Sequence, residues 1–238
     1  MSEAGRRVSE AGRRVRVPLL RQSLEDVVFA HWPLDPAVAA PLLPPGIRPD
    51  TLHGRTYVGL VGVRMRGVGV PGLPAPPYLG TFAQVNVRLY GVGPAGEQGV
   101  VFLAMHAARL VPALVGRAAG LPYAWRPVSV VREGAAVGYD VRNYGALVVR
   151  AGPSLPEPSP TQRFLVERGG LFLSRAGRTW HVPLDHAPWP LHRAEPERVN
   201  AEIVRHVGIA VTERPSSVVW SAGVTARFGH PRLLRSAT

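Results

Sequence analysis

The sequence predicts a mainly β fold of the α+β type, in which a predominantly antiparallel sheet, open or closed into a barrel, carries a few short helices. Three observations support this prediction. Many short β-branched or alternating segments are separated by glycine and proline turns, and helical segments are few. The 238-residue chain is also 46% hydrophobic, which is enough to bury a large core.

The predicted elements follow one another closely. A strand at 25–32 leads to Asp35 and Pro36, a helix N-cap followed by proline at the first helical position, and the helix runs to Leu43. A second capping signal, Ser159 to Gln162, begins a helix that runs to Arg168. Further strands are predicted at 55–66, 82–90, 99–105, 125–132, 136–142, 146–151, 171–175, 178–183 and 218–228, with helices up to Gly120 and after Pro196.

The two ends of the chain differ from its middle. The heptapeptide SEAGRRV occurs at 2–8 and again at 9–15, and two such copies are too few to form a repeat fold. We therefore predict a disordered basic tail over 1–17, a single domain over 18–232 and a short tail over 233–238.

All 28 basic residues are arginines, and the chain has neither lysine nor cysteine. These absences exclude lysine imines, phosphate-loop lysines, thiolate nucleophiles and cysteine-ligated metals. The net charge of +12 is spread thinly outside the first residues, which argues against a nucleic-acid partner and favours a small anionic molecule.

No apolar run reaches the roughly 18 residues that span a bilayer. We expect a soluble, cytoplasmic protein without a membrane partner. The oligomeric state stays open, with a homo-oligomer among the alternatives.

Short sequence motifs identify no nucleotide-binding or catalytic site. Two segments starting at Gly67 and Gly91 match G-x-G-x-x-G, but neither connects a strand to a helix as a dinucleotide site requires. Serine-hydrolase and zincin motifs are absent. We predict no cofactor.

The segment 180–192 is rich in histidine and tryptophan. His181, Asp185 and His186 could ligate a divalent metal. Their spacing matches no known metal motif, so the favoured interpretation is a proline-stiffened loop without a metal, and His186 with Trp189 remains a candidate ligand contact.

The strand at 82–90 alternates between apolar and polar residues. Gln84, Asn86 and Arg88 share its polar face. On an open sheet this face would meet water, whereas in a closed sheet it would line a cavity in which Arg88 could bind a carboxylate. His106, at the end of the next strand, is either a titratable group of that cavity or a core histidine bonded to a backbone carbonyl.

Several segments, in order over about 20–230, together resemble the YqjF-like family of uncharacterised bacterial proteins, a branch of the acetoacetate decarboxylase-like superfamily. They include Phe29-Ala30-His31-Trp32-Pro33-Leu34-Asp35-Pro36, Leu42-Leu43-Pro44-Pro45-Gly46, Tyr57-Val58-Gly59-Leu60-Val61 with Arg64-Met65, Asn86-Val87-Arg88-Leu89-Tyr90 and Ala187-Pro188-Trp189-Pro190-Leu191.

The resemblance implies an antiparallel β-barrel with a central pocket. It also implies a buried lysine that forms an imine with a β-keto acid in the decarboxylases, and this chain has no lysine. Relatives carry aspartate where His106 stands and glutamate where Gln84 stands. His31 and Arg64, within the matching segments, complete the predicted ligand-binding set.

The sequence therefore predicts a protein that binds a small carboxylate or keto acid in a barrel pocket, with Arg88 as its anchor. If the protein is an enzyme, His106 is the predicted acid or base of a lyase- or hydrolase-like reaction on a carbonyl compound. The alternative function is a non-catalytic interaction through the basic tail with nucleic acid or an anionic surface.

Overall fold

The computed structural model describes residues 15–74, 80–212 and 214–234, which are organised around one large branched sheet. The described residues form fourteen strands, which are β1 Leu20–Leu34, β2 Arg48–Pro49, β3 Thr56–Gly69, β4 Phe82–Val92, β5 Gln98–Ala107, β6 Tyr123–Trp125, β7 Val128–Glu133, β8 Ala136–Val141, β9 Gly145–Ser154, β10 Gly170–Arg175, β11 Arg178–Asp185, β12 Leu191–Val199, β13 Ser217–Phe228 and β14 Arg232–Leu233. The α-helices of these ranges are α1 Pro36–Ala39, α2 Leu110–Ala118, α3 Pro160–Val166 and α4 Glu202–Arg205, with a 3-10 turn at Ala40–Leu42.

Seven of the strands form a closed circuit. In spatial order they are β13, β1, β3, β4, β5, β10 and β11, and β11 pairs again with β13 through Leu184 opposite Phe228. The pairings are antiparallel except that β5 runs parallel to β10. Strands β12, β9, β8 and β7 branch from β13 as an arm.

Alternation along the strands creates two cores. The inner core receives apolar side chains from every strand of the circuit and from α3, among them Phe29, Tyr90 and Leu165. The outer core lies between β1, β3 and β4 on one side and the arm with α4 on the other, and it includes Leu60 and Tyr139. Because β4 contributes to both cores, its two faces are both covered by protein.

Local sequence signals predicted the starts of two helices correctly. The Asp35 side chain accepts a hydrogen bond from the Ala37 amide ahead of α1, as the N-cap prediction requires. The predicted capping box before α3 is present as well, with Ser159 and Gln162 bonding each other's backbone amides.

One element prediction needs correction. Pro196 does not start a helix, because β12 continues through it to Val199 and α4 begins only at Glu202. Val15, within the predicted tail, is buried and its amide donates to Asp185. Residues 1–14 of the predicted basic tail lie outside the described residues.

The C-terminal boundary also differs slightly. Leu233 pairs with Trp180 in β14, so the sheet continues one residue past the predicted end of the domain. Within the described ranges, no helix has the length and hydropathy needed to cross a membrane.

Candidate functional site

Three polar side chains share the inner face of neighbouring strands. Arg88 on β4 stands opposite Gly59 on β3, and Gly59 stands opposite His31 on β1. Asn86 occupies the next inward position of β4, opposite Val61. Because directly paired residues of antiparallel strands point to the same side of the sheet, His31, Asn86 and Arg88 all face the inner core.

These groups converge on the hydroxyl of Tyr90. His31 Nε2 lies 2.7 Å from the hydroxyl oxygen, and Arg88 Nε donates to that oxygen at 3.2 Å. The hydroxyl in turn donates to the Leu165 carbonyl at 3.1 Å, and Arg88 Nη2 donates to the same carbonyl at 3.1 Å. The network therefore ties the sheet to α3.

A glycine makes this convergence possible. A Cβ placed on Gly59 would stand 2.9 Å from the Tyr90 oxygen and 3.0 Å from the His31 ring. Any larger residue at this position would occupy the space in which the two side chains meet.

A buried ion pair lies beside the network. Arg168, just after α3, donates from Nη1 to Asp50 Oδ2 at 2.5 Å, and Gln98 donates to the same oxygen at 3.1 Å. The Arg168 guanidinium also packs on the rings of Phe164 and Tyr90, at 4.1 and 4.7 Å from their centroids. Burial lowers the pKa of Arg168, and the Asp50 carboxylate opposes that shift.

The second arginine of this region has no such counter-charge. Among the described residues no carboxylate lies within 4.0 Å of Arg88, whose hydrogen-bond partners are a hydroxyl and a backbone carbonyl. Burial, together with the charges of Arg88 and Arg168, holds the pKa of His31 well below its usual value, so this imidazole is neutral at pH 7. The polar part of the inner core therefore carries excess positive charge at Arg88.

Three buried polar atoms here have no hydrogen-bond partner among the described residues. They are His31 Nδ1, Asn86 Oδ1 and Arg168 Nε. Unsatisfied polar atoms are uncommon in protein interiors, and a bound molecule is one way of satisfying them.

A cavity of about 350 Å³ lies beside β5 and β10, and none of His31, Asn86 and Arg88 is among the described residues that line it. It sits where β5 changes its parallel neighbour from β10, paired at Val101, to β6, paired at Met105. Phe102 lines the cavity and is the cross-strand neighbour of Arg88 on the inner face. Leu121 and Ser174 also line it, so the cavity has mostly apolar walls.

Gln84, the remaining polar residue of β4, already has a partner. Its side-chain oxygen accepts a hydrogen bond from the Tyr123 hydroxyl at 2.6 Å. Burial raises the pKa of Tyr123, which keeps this donor protonated.

His106 and Arg64 do not lie with Arg88, contrary to the sequence-based expectation. His106 pairs with Val85 and Arg64 pairs with Ala83, and both partners belong to the outer core. The physical reason is strand register, since adjacent positions of a strand point to opposite faces.

On the outer face His106 belongs to a different cluster. The centroid of its ring lies 5.2 Å from that of Tyr144, and the Tyr144 centroid lies 4.7 Å from that of His206. The Arg126 guanidinium packs over the face of Tyr144, 4.2 Å from the ring centroid. Burial, with the charges of Arg126 and His206, lowers the pKa of His106 to about 4. The backbone-carbonyl alternative is not observed either, because Nδ1 of His106 has no partner among the described residues.

The two candidates from 180–192 lie at the edge of the inner core. Trp189 is buried, meets Phe29 edge-on at 5.2 Å and donates from its indole to the Val166 carbonyl. The His186 ring lies 5.0 Å from Trp189, and its Nδ1 is 3.9 Å from Glu167. Both residues support the end of α3, and neither is among the described hydrogen-bond partners of Arg88.

The metal alternative at His181, Asp185 and His186 gains no support. Asp185 accepts two hydrogen bonds from Arg227 and one from the Val15 amide. Burial would raise the pKa of Asp185, but these bonds and the charge of Arg227 hold it below its usual value. In the described parts of the chain, no three histidine, aspartate or glutamate side chains come together as a metal site.

The sequence of this chain matches one known protein family over most of its length. A family model described as "Uncharacterized conserved protein (COG2071)", DUF2071, matches residues 21–225. The chain belongs to the DUF2071 family. The matched range covers every strand of the circuit except the first residue of β1 and the last three residues of β13.

One relative of this DUF2071 protein is the uncharacterized protein YqjF of Bacillus subtilis (strain 168). The two are 27% identical over 205 residues, covering 82% of this chain and 84% of YqjF. The YqjF-like assignment made from the sequence is confirmed.

Solved structures with the same fold are more distant in sequence. An acetoacetate decarboxylase-like enzyme from Sphingomonas wittichii RW1 is 15% identical with a TM-score of 0.64, covering 94% of this chain and 96% of that one. Acetoacetate decarboxylase from Legionella pneumophila is 12% identical with a TM-score of 0.65, covering 92% and 87%. The enduracididine biosynthesis enzyme MppR, complexed with pyruvate, is 16% identical with a TM-score of 0.61, covering 95% of both chains.

These likenesses establish the fold of the DUF2071 protein. The mainly β, acetoacetate decarboxylase-like class predicted from the sequence is confirmed. Sequence reasoning missed Gly59, Asp50 and Arg168 as parts of the site, and it named Tyr90 only within a segment that resembles the family. Asp50 and Arg168 are separated by 118 positions, so no local pattern connects them.

Proposed function

We propose that this protein binds a small organic carboxylate inside the strand circuit, with Arg88 as its anchor. The observation that carries the proposal is the inward-facing guanidinium of Arg88, which has only neutral hydrogen-bond partners among the described residues. Arg88 is half-buried, and withdrawing a cation even partly from water without a counter-charge is unfavourable, so a ligand carboxylate would supply the missing charge.

The surroundings of Arg88 support an organic anion over an inorganic one. The guanidinium lies 5.5 Å from the ring centroids of both Phe29 and Tyr90, and Phe102 stands on the neighbouring strand. These aromatic surfaces would cover the carbon skeleton while Arg88 holds the charged end. MppR, a protein of the same fold, is described in complex with pyruvate, a molecule of this class.

The chemistry differs from that of a lysine-dependent decarboxylase. The chain has no lysine, so an imine with a keto acid is not part of the proposal. The neutral imidazole of His31 is linked to the anchor through the Tyr90 hydroxyl, and it takes the place in the proposed site that the sequence assigned to His106.

The proposal is tested by calorimetric titration of wild type with acetate, pyruvate and lactate, and with pyruvamide as an uncharged control. Arg88→Gln should weaken carboxylate binding by about 10- to 100-fold, the range expected for a hydrogen bond to a charged group. Arg64→Gln is the matched control, because this arginine faces the outer core one strand away.

The proposal fails if Arg88→Gln binds the carboxylates as tightly as wild type. It also fails if pyruvamide binds as tightly as pyruvate, since Arg88 would then not distinguish a carboxylate from an uncharged amide.

A further inference from the structure

The protonation of His31 follows from counting the hydrogen bonds at Tyr90. Its hydroxyl oxygen has three polar neighbours, which are His31 Nε2, Arg88 Nε and the Leu165 carbonyl. Arginine only donates and a carbonyl only accepts. The single hydroxyl hydrogen of Tyr90 is therefore directed to Leu165, and its oxygen is left as an acceptor.

Only one tautomer of His31 satisfies all of these contacts. With the proton on Nε2, the imidazole donates to the Tyr90 oxygen at 2.7 Å, and every contact is a hydrogen bond. With the proton on Nδ1, Tyr90 would have to turn its hydrogen toward His31 and lose the bond to Leu165. The first tautomer makes one more hydrogen bond, so Nδ1 carries a lone pair.

That lone pair is buried and unused. His31 is 0% exposed, and Nδ1 has no partner among the described residues. Arg88 and Arg168 both disfavour a second proton on this imidazole. The inner core therefore presents a fixed hydrogen-bond acceptor, which only a donor on a ligand or a water can satisfy.

Resting on the proposed function, we infer that the ligand is a small hydroxycarboxylate, whose hydroxyl donates to His31 Nδ1 while its carboxylate pairs with Arg88. A keto group has no hydrogen to donate. An ammonium group could donate, but it would bring a third positive charge next to Arg88 and Arg168. A hydroxyl meets both requirements.

The spacing of the two groups suits a short molecule. Arg88 Nε and His31 Nε2 touch the same oxygen, so they lie no more than about 6 Å apart. Asn86 is the next inward-facing residue of β4 after Arg88, and its side-chain oxygen also has no partner among the described residues. The Asn86 amide can turn to offer either a donor or an acceptor, whereas His31 is held by its bond to Tyr90.

Two matched pairs of ligands test this inference, because the members of each pair differ only in a hydroxyl or a keto group. They are lactate with pyruvate, and 3-hydroxybutyrate with acetoacetate. By calorimetry at pH 7.5, we expect the hydroxy member to bind about tenfold more tightly, which is the value of one hydrogen bond to a buried acceptor. In Tyr90→Phe the imidazole is free to change tautomer, and we expect the preference to shrink to about twofold or less.

A measurement on the free protein tests the tautomer without any ligand. Nitrogen-15 NMR of the eight histidines should show an unprotonated Nδ1 for His31, assigned by its absence in His31→Gln or, if that variant does not fold, by its shift in Tyr90→Phe. A protonated Nδ1 overturns the inference.

The outcomes separate the inference from the proposed function. If the keto members bind as tightly as the hydroxy members while Arg88→Gln still loses both, the hydroxycarboxylate assignment is overturned and the carboxylate site stands. If no member of either pair binds to wild type, both proposals are overturned.

Discussion

Gly59 and Tyr90 approach so closely that a single methyl group on Gly59 would stand 2.9 Å from the Tyr90 hydroxyl oxygen. This contact is tighter than ordinary van der Waals packing, and the same methyl would stand 3.0 Å from the His31 ring. The site therefore depends on the absence of a side chain at one position of β3.

Gly59→Ala should separate His31 from Tyr90 and destabilise the fold by about 1–3 kcal/mol, as overpacking of a buried position usually does. Urea unfolding measures this cost. Gly229→Ala is the matched control, because its new methyl would meet only ordinary contacts at 3.5 Å. Equal stability of the two variants would show that Tyr90 can move without loss.

The ion pair between Asp50 and Arg168 should be far more sensitive than one at the surface. The side chains are 1% and 4% exposed, so Asp50→Asn leaves a buried guanidinium without its counter-charge. We expect a loss of roughly 3–5 kcal/mol in the free energy of unfolding, and partial recovery when Arg168→Met is added.

The more exposed pair between Arg66 and Glu25 provides the comparison. Their side chains are 61% and 32% exposed, and Arg66→Met should cost less than about 1 kcal/mol. A cost for Asp50→Asn no larger than this would mean that water reaches Arg168.

Some of the site was predictable because its signal is local. Alternation in 82–90 placed Gln84, Asn86 and Arg88 on one face, and Ser159 with Gln162 marked the start of α3. Neither signal depends on distant parts of the chain.

The position of His106 was not predictable in the same way. Which face it occupies depends on the register between β4 and β5, and a bulge lies opposite Val87 and Arg88. A one-residue change of register reverses every side chain of a strand, and nothing in the apolar run before His106 indicates which register forms. The Asp50–Arg168 pair likewise depends on tertiary folding.

His106 should make the stability of the protein depend on pH. Its pKa is lowered to about 4 from the ordinary 6.5, so between these values the unfolded chain binds a proton that the folded protein does not. Stability should therefore be highest above pH 6.5 and fall as the pH is lowered toward 4.

Unfolding by urea at several pH values measures this slope. His106→Gln should make it shallower, because the variant has no proton to bind at this position, while the lowered pKa of His31 still contributes to the slope. The exposed His230 provides the control, and His230→Gln should keep the wild-type slope. An unchanged slope in His106→Gln would assign the pH dependence to other groups.

The central claim is that a carboxylate binds to Arg88 inside the strand circuit, and a crystal structure of the protein with lactate at saturating concentration tests it most directly. The account predicts carboxylate oxygens within hydrogen-bond distance of the Arg88 guanidinium, with the hydroxyl directed toward His31. Lactate bound only on the outer face, for example beside Arg126 and His206, would contradict it.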